Sequence, residues 1–127
     1  MSHWFERDPE RLAVEAHLMQ THTRASLFNE AGTLFWLEDI ESASGGRYRA
    51  RFVYPERFPF ERPRAFIIHP RVTSAPHRFS DGSLCLFDNP CLCDVKITAL
   101  VVRNRTVIWI LAYEIWQRTQ VWMPPGH

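Results

Sequence analysis

Gly46-Arg47-Tyr48-Arg49-Ala50-Arg51-Phe52-Val53-Tyr54-Pro55, continuing as Glu56-Arg57-Phe58-Pro59-Phe60-Glu61-Arg62-Pro63-Arg64-Ala65-Phe66, is the passage on which the fold turns. From residue 47 to 54 arginines alternate with aromatic and aliphatic residues, the two-residue period of a strand with one wet and one buried face. Upstream, residues 33–40 (Thr-Leu-Phe-Trp-Leu-Glu-Asp-Ile) are rich in strand formers, and Ser44-Gly45-Gly46 supplies the turn between the two runs. The pair reads as an antiparallel hairpin. Downstream, three prolines within residues 55–63 exclude helix and central strand. The interleaved Phe58 and Phe60 are expected to fold that loop back onto the core. Residues 65–68 form a third short strand closed by His69-Pro70.

Outward from this sheet the flanks read as helix. Asp8-Pro9 is a start signal, because aspartate caps free amides and proline is tolerated at the first helical position. Leu12, Ala16 and Met19 recur at helical spacing with Val14 and Leu18 widening the stripe, so a helix is expected over 9–23, with His17 and His22 on its wet side. Toward the carboxyl end the pattern is helical from 98 to 122. Val107, Leu111 and Ile115 recur at four-residue steps, and Ile108, Trp109, Ile110 and Tyr113 make the segment apolar nearly all round. Asn104 marks an interruption or a start, and the main helix is expected over 105–119. Trp109, Trp116 and Trp122 read as core and rim packing, with Trp122 a candidate partner contact if exposed.

Composition narrows the function classes. The 127 residues suit one domain with one core. Apolar residues make up 46% and charged residues 23%, the balance of a folded globular chain. A formal charge of +1 gives no basic field for nucleic acid, and the arginine row on residues 47–51 reads as a solvated strand face. No apolar run reaches membrane-spanning length and no leader pattern opens the chain. Cys85, Cys91 and Cys93, odd in number and tightly spaced, do not make a disulfide framework, and a reducing cytoplasm is the expected location.

Chemistry concentrates between Pro76 and Phe87, which reads Pro-His-Arg-Phe-Ser-Asp-Gly-Ser-Leu-Cys-Leu-Phe. His77 stands in a turn, Asp81-Gly82 reverses the chain, and Cys85 follows just past the bend. A reachable thiol there is a candidate nucleophile. A cysteine between Leu84 and Leu86 also suits a small core residue. His77 either fixes the loop through hydrogen bonds or moves protons. Asp81 is a turn former or a base for an incoming amine, and Asp88 is a similar candidate. His77, Cys85, Cys91 and Cys93 would make a four-ligand set for zinc, but Cys-x-Cys is tighter than the usual ligand gap, so neither metal nor cofactor is expected. Cys91 and Cys93 also read as a second acyl-accepting or redox-labile thiol pair, or as ordinary loop cysteines.

The succession helix, two strands, proline-aromatic loop, strand, histidine turn, Gly-x-Leu-Cys-Leu and long helix resembles the ubiquitin-conjugating enzymes. Residues 46–55 look like that family's Gly-x-Tyr/Phe strand running into Tyr-Pro. Residues 58–66 look like its Tyr-Pro-Phe-x-x-Pro-x-x-x-Phe passage, and 77–86 like its histidine, glycine and Ile/Leu-Cys-Leu segment. The likeness covers residues 9–120. It is closer to prokaryotic ubiquitin-conjugating-like proteins of antiphage (CBASS-type) operons, whose endings are similar to Tyr113-Glu114-x-Trp116-x-x-Thr119-x-x-Trp122 with terminal His127.

The resemblance implies an α+β ubiquitin-conjugating-like fold with an amino-terminal helix, an antiparallel sheet of three or four strands and a carboxyl-terminal helix. It implies a transferase that forms a thioester on Cys85, assisted by His77 and Asp81. The donor would be the carboxyl terminus of a ubiquitin-like or partner protein, with a nucleotidyltransferase as a further partner; the rival is a catalytically silent domain that regulates such a partner. Departures are definite. The family's His-Pro-Asn becomes His77-Arg78-Phe79, which removes the asparagine that stabilises the oxyanion and leaves Asn89, Asn104 or backbone amides as substitutes. Cys91-Leu92-Cys93 replaces its Trp-x-Pro stretch, and the last helices of the larger members are absent.

Overall fold

The computed structural model describes residues 2–87 and 95–122. In order these form α1 (Trp4–Arg7), α2 (Pro9–His22), β1 (Ser26–Glu30), β2 (Thr33–Glu41), β3 (Arg47–Val53), β4 (Arg64–His69) and α3 (Ala99–Thr119). The four strands make one antiparallel sheet in the order β1-β2-β3-β4, with α2 and α3 in contact and α3 laid on β3 and β4. The α+β arrangement expected from the sequence is therefore present, with four strands. The alternation in β3 is the one read above. Tyr48, Ala50 and Phe52 are buried, while Arg47 and Arg49 are exposed on the opposite face. Trp36 lies across from Phe52, and Phe52 across from Ala65, so the helix-facing layer runs unbroken over three strands. Burying a ring such as Phe52 contributes about 1.5–3 kcal/mol relative to leaving it wet.

Four expectations need correction. Within α2, Val14 is 51% exposed and Glu15 fully buried, because at about 100° per residue Val14 falls some 200° from Leu12 while Glu15 stays on the core face. In the proline loop Phe58 is buried against Trp4 and Tyr54, but Phe60 is 63% exposed. The Phe60 and Glu61 amides both donate to the Arg57 carbonyl, a single helical turn in which residues two apart point to opposite sides. α3 starts at Ala99 and not near 105. Thr98 caps it by accepting the Val101 amide at 3.2 Å, and Ala99, Val102 and Thr106 are buried while Asn104 points to solvent, so burial outweighs asparagine's weak helix preference. β1 and α1 were not anticipated, and α2 stops at His22 because Thr23 is extended and its hydroxyl donates to the Met19 carbonyl.

Three carboxylates anchor α3. Glu15 Oε1 accepts the Ala99 amide at 2.8 Å and the Tyr54 hydroxyl at 2.8 Å, and that hydroxyl accepts Trp36 Nε1–H at 2.8 Å. Burial, followed by the Glu15 charge, pushes the Tyr54 phenol well above its ordinary range. Glu38 on β2 takes both prongs of Arg103, at 2.9 and 2.8 Å. Glu114 accepts the hydroxyls of Ser42, Ser44 and Tyr48, closing the β2–β3 turn onto the helix. Gly46 leaves room for that closure, since a Cβ there would meet Glu114 Oε2 at 2.6 Å and the carboxylate would have to shift.

Candidate functional site

Past β4 the chain runs irregularly to His77, with bends at Pro70, Ser74 and Pro76, where an extended run was expected, and then makes a small two-armed loop. Arg78 bridges Leu84 in antiparallel fashion, the Phe79 amide donates to Ser83 O at 2.9 Å, and the Gly82 amide donates to Phe79 O at 3.0 Å. Gly82 sits at φ +91°, which a side chain would strain. Asp81 fastens the tip. Its carboxylate accepts the Ser83 amide at 2.8 Å, the Ser83 hydroxyl at 2.6 Å and Arg64 Nη1 at 2.9 Å. The Ser83 bonds, with help from Arg64, hold the Asp81 carboxyl below its ordinary value. At the other end Leu84 N–H donates to Ala65 O at 2.9 Å, docking the loop on β4.

This anchoring presents Cys85. Its amide donates to the His77 carbonyl at 2.8 Å. Its neighbours Leu84 and Leu86 are buried, yet Cys85 itself is half-buried, with Sγ 3.9 Å from Phe87 O. On the Leu84 and Leu86 side lies a cleft of about 430 Å³ lined by Phe60, Arg64, Phe79 and Phe87. After Cys85 the chain is gripped again. Arg105 Nη1 donates to Leu86 O at 3.2 Å, and Arg62 and Arg105 lie over the Phe87 ring at 4.3 and 4.6 Å from its centre.

His77 has φ +58°, sparsely occupied by residues with a Cβ. Its carbonyl accepts Trp109 Nε1–H at 3.1 Å as well as the Cys85 amide, and its ring lies 5.0 Å from that of Trp122. His77, Asp81 and Cys85 thus share one loop. The histidine's backbone and the aspartate's side chain hold that loop's shape. At the place where the resemblance expects the oxyanion-stabilising asparagine stands Phe79, exposed to solvent, and Arg78 beside it donates from Nη1 to Val72 O at 2.7 Å. Asn104 is exposed on α3 and accepts from Arg103 at 3.2 Å.

Arg62, Arg64, Arg105 and Trp109 were missed as parts of this site. Apart from the proline-loop setting of Arg62 and Arg64, their only signal is long reach from elements that fold beside the loop. Asp88, Asn89, Cys91, Cys93 and His127 lie outside the described residues. Among the described residues no three His, Cys, Asp or Glu side chains converge as metal ligands, and no helix is long and apolar enough to cross a membrane.

A family model described as "Type II CBASS E2 protein" matches residues 12–127, a span that takes in most of α2, the sheet, the His77–Cys85 loop and α3. Because that match covers well over half of the sequence, the chain belongs to the type II CBASS E2 proteins, E2-like proteins of antiphage defence.

Proposed function

We propose that the protein is a cysteine-dependent acyl transferase that receives a protein carboxyl terminus on Cys85 and passes it to an amine. The observation that carries this reading is the half-buried Cys85 thiol standing directly after a loop whose shape is locked at both ends. In the first step the Cys85 thiolate attacks the carbonyl carbon of an activated thioester, the new S–C bond forms, and the donor's former thiolate leaves. In the second, an amine nitrogen attacks that carbon, the N–C bond forms, the Cys85 S–C bond breaks, and the surplus amine proton passes to a base or to solvent. His77 serves this by holding the Cys85 amide, and its exposed ring and the Asp81 carboxylate are the candidates for proton handling. The low-lying Asp81 carboxyl makes it a weak base, which favours a loop-holding part for it. The donor is the carboxyl terminus of a ubiquitin-like or partner protein, and a nucleotidyltransferase of the same defence system is a further partner. A Cys85 that must stay a free thiol between turnovers suits a reducing cytoplasm.

A second reading, a catalytically silent regulator that binds such a partner, draws support from Phe79, which stands where the resemblance places the oxyanion-stabilising asparagine, and from Arg78, whose guanidinium is bonded to Val72 O. One experiment separates the two. The chain is incubated with a candidate donor and, where needed, its activating enzyme, and resolved with and without reductant. A reducible adduct that Cys85→Ala abolishes is expected. Partner binding without any Cys85-dependent adduct would end the transferase reading in favour of the regulator.

A further inference from the structure

His77 occupies a strained backbone conformation, and two tryptophans hold it from different directions. Trp109, inside α3, donates its indole N–H to the His77 carbonyl at 3.1 Å, the same oxygen that accepts the Cys85 amide. Trp122, three residues beyond the helix, lays its ring 5.0 Å from the imidazole and 5.4 Å from Trp109. The return of Trp122 is built into the helix end. Gln120 takes the left-handed conformation at φ +59° with its amide on Trp116 O, and the Val121 amide donates to Thr119 Oγ1 at 3.1 Å. That turn swings the chain back toward the loop.

We propose that Trp122 is a positioning residue: seated on the His77 ring by the turn after α3, it holds His77 in its strained conformation and thereby sets the presentation of the Cys85 thiol. Tryptophan suits the task because a broad ring face grips an imidazole without competing for the carbonyl that Trp109 and Cys85 share, and aromatic pairs contribute about 0.5–1.5 kcal/mol beyond area burial. The consequence is a control point. Whatever moves the segment after α3 changes the reactivity of the thiol without touching it. This deepens the transferase reading and rests on it for its biological meaning, while its physical content is the coupling of Trp122 to Cys85.

The test uses the full chain and iodoacetamide at neutral pH, with Cys85 modification followed by peptide mass mapping, so it needs no donor and can fail or succeed independently of conjugation. Trp122→Ala should free the half-buried sulfur and raise its alkylation rate between about twofold and tenfold, the range of one aromatic contact. Trp122→Phe should restore most of the native rate, and in a His77→Ala background Trp122→Ala should add nothing. The His77 ring protons should show ring-current shifts that Trp122→Ala removes. Trp122→Leu, which keeps bulk without a ring face, should behave like alanine and covers the case in which alanine does not fold. An unchanged Cys85 rate in a folded Trp122→Ala or Trp122→Leu protein would overturn the proposal. So would additive effects with His77→Ala, or unshifted His77 ring protons in the native chain.

Discussion

Asp81 shows how one side chain can be plain in sequence yet have its environment set by the fold. The Asp81-Gly82 reversal is local, and the carboxylate's bonds to Ser83 are two residues away, so a turn former was legible. Arg64 is not local and was not. Because these bonds favour the ionised form, the folded carboxyl lies below its ordinary 3.8. A depressed folded value means that the carboxylate's contribution to the loop is complete above the unfolded value and disappears as pH falls through the folded one. The Ser83 amide resonance should therefore titrate with a midpoint under 3.8 in an acid NMR series, and a midpoint at or above that value would contradict the assigned bonds. Gly46 makes a second residue-scale test. Adding one methyl in Gly46→Ala presses on Glu114 Oε2, the oxygen that accepts the Ser42 and Tyr48 hydroxyls, and a loss of about 1–3 kcal/mol is expected by denaturant titration.

At the scale of elements, legibility followed burial contrast. β2, β3 and α2 were readable because they alternate or recur against water, and their ends moved by only a residue or so. β1 was not, because Ser26, Phe28, Asn29 and Glu30 are all exposed on an edge strand with only Leu27 partly covered, which leaves no period to find. The start of α3 was hidden for a different reason. The group receiving the Ala99 amide is the carboxylate of Glu15, 84 positions earlier, and no local signal reports it. That carboxylate joins α2, β2, the end of β3 and α3 through Tyr54 and Trp36. Tyr54→Phe removes one hydroxyl and leaves both the Trp36 indole N–H and one lobe of Glu15 short of a partner. A loss of about 1–3 kcal/mol is expected, against a near-neutral change for an exposed tyrosine, and equilibrium unfolding measures it.

Over the whole molecule, the thiol's position is decided by how α3 sits on the sheet, since Trp109 and Arg105 reach the loop from that helix. The forked pair Glu38–Arg103 fixes this seating. Its carboxylate is only 4% exposed, its guanidinium 23%, and both donor distances are under 3 Å. A charge so covered is tolerable only while paired. Arg103→Met should thus leave Glu38 uncompensated and remove about 3–5 kcal/mol of stability, whereas Glu38→Met/Arg103→Met replaces two matched charges by apolar groups of similar length and should recover most of that loss. Chemical unfolding of the two singles and the double at neutral pH decides the matter: strict additivity would show that the pair does not act as a unit. Cys85 alkylation adds the functional half. If α3 is seated by packing once the charges are gone, the double variant keeps the native rate and Arg103→Met alone exceeds it, because only in the single variant does the stranded carboxylate pull toward water and tilt the helix that carries Trp109.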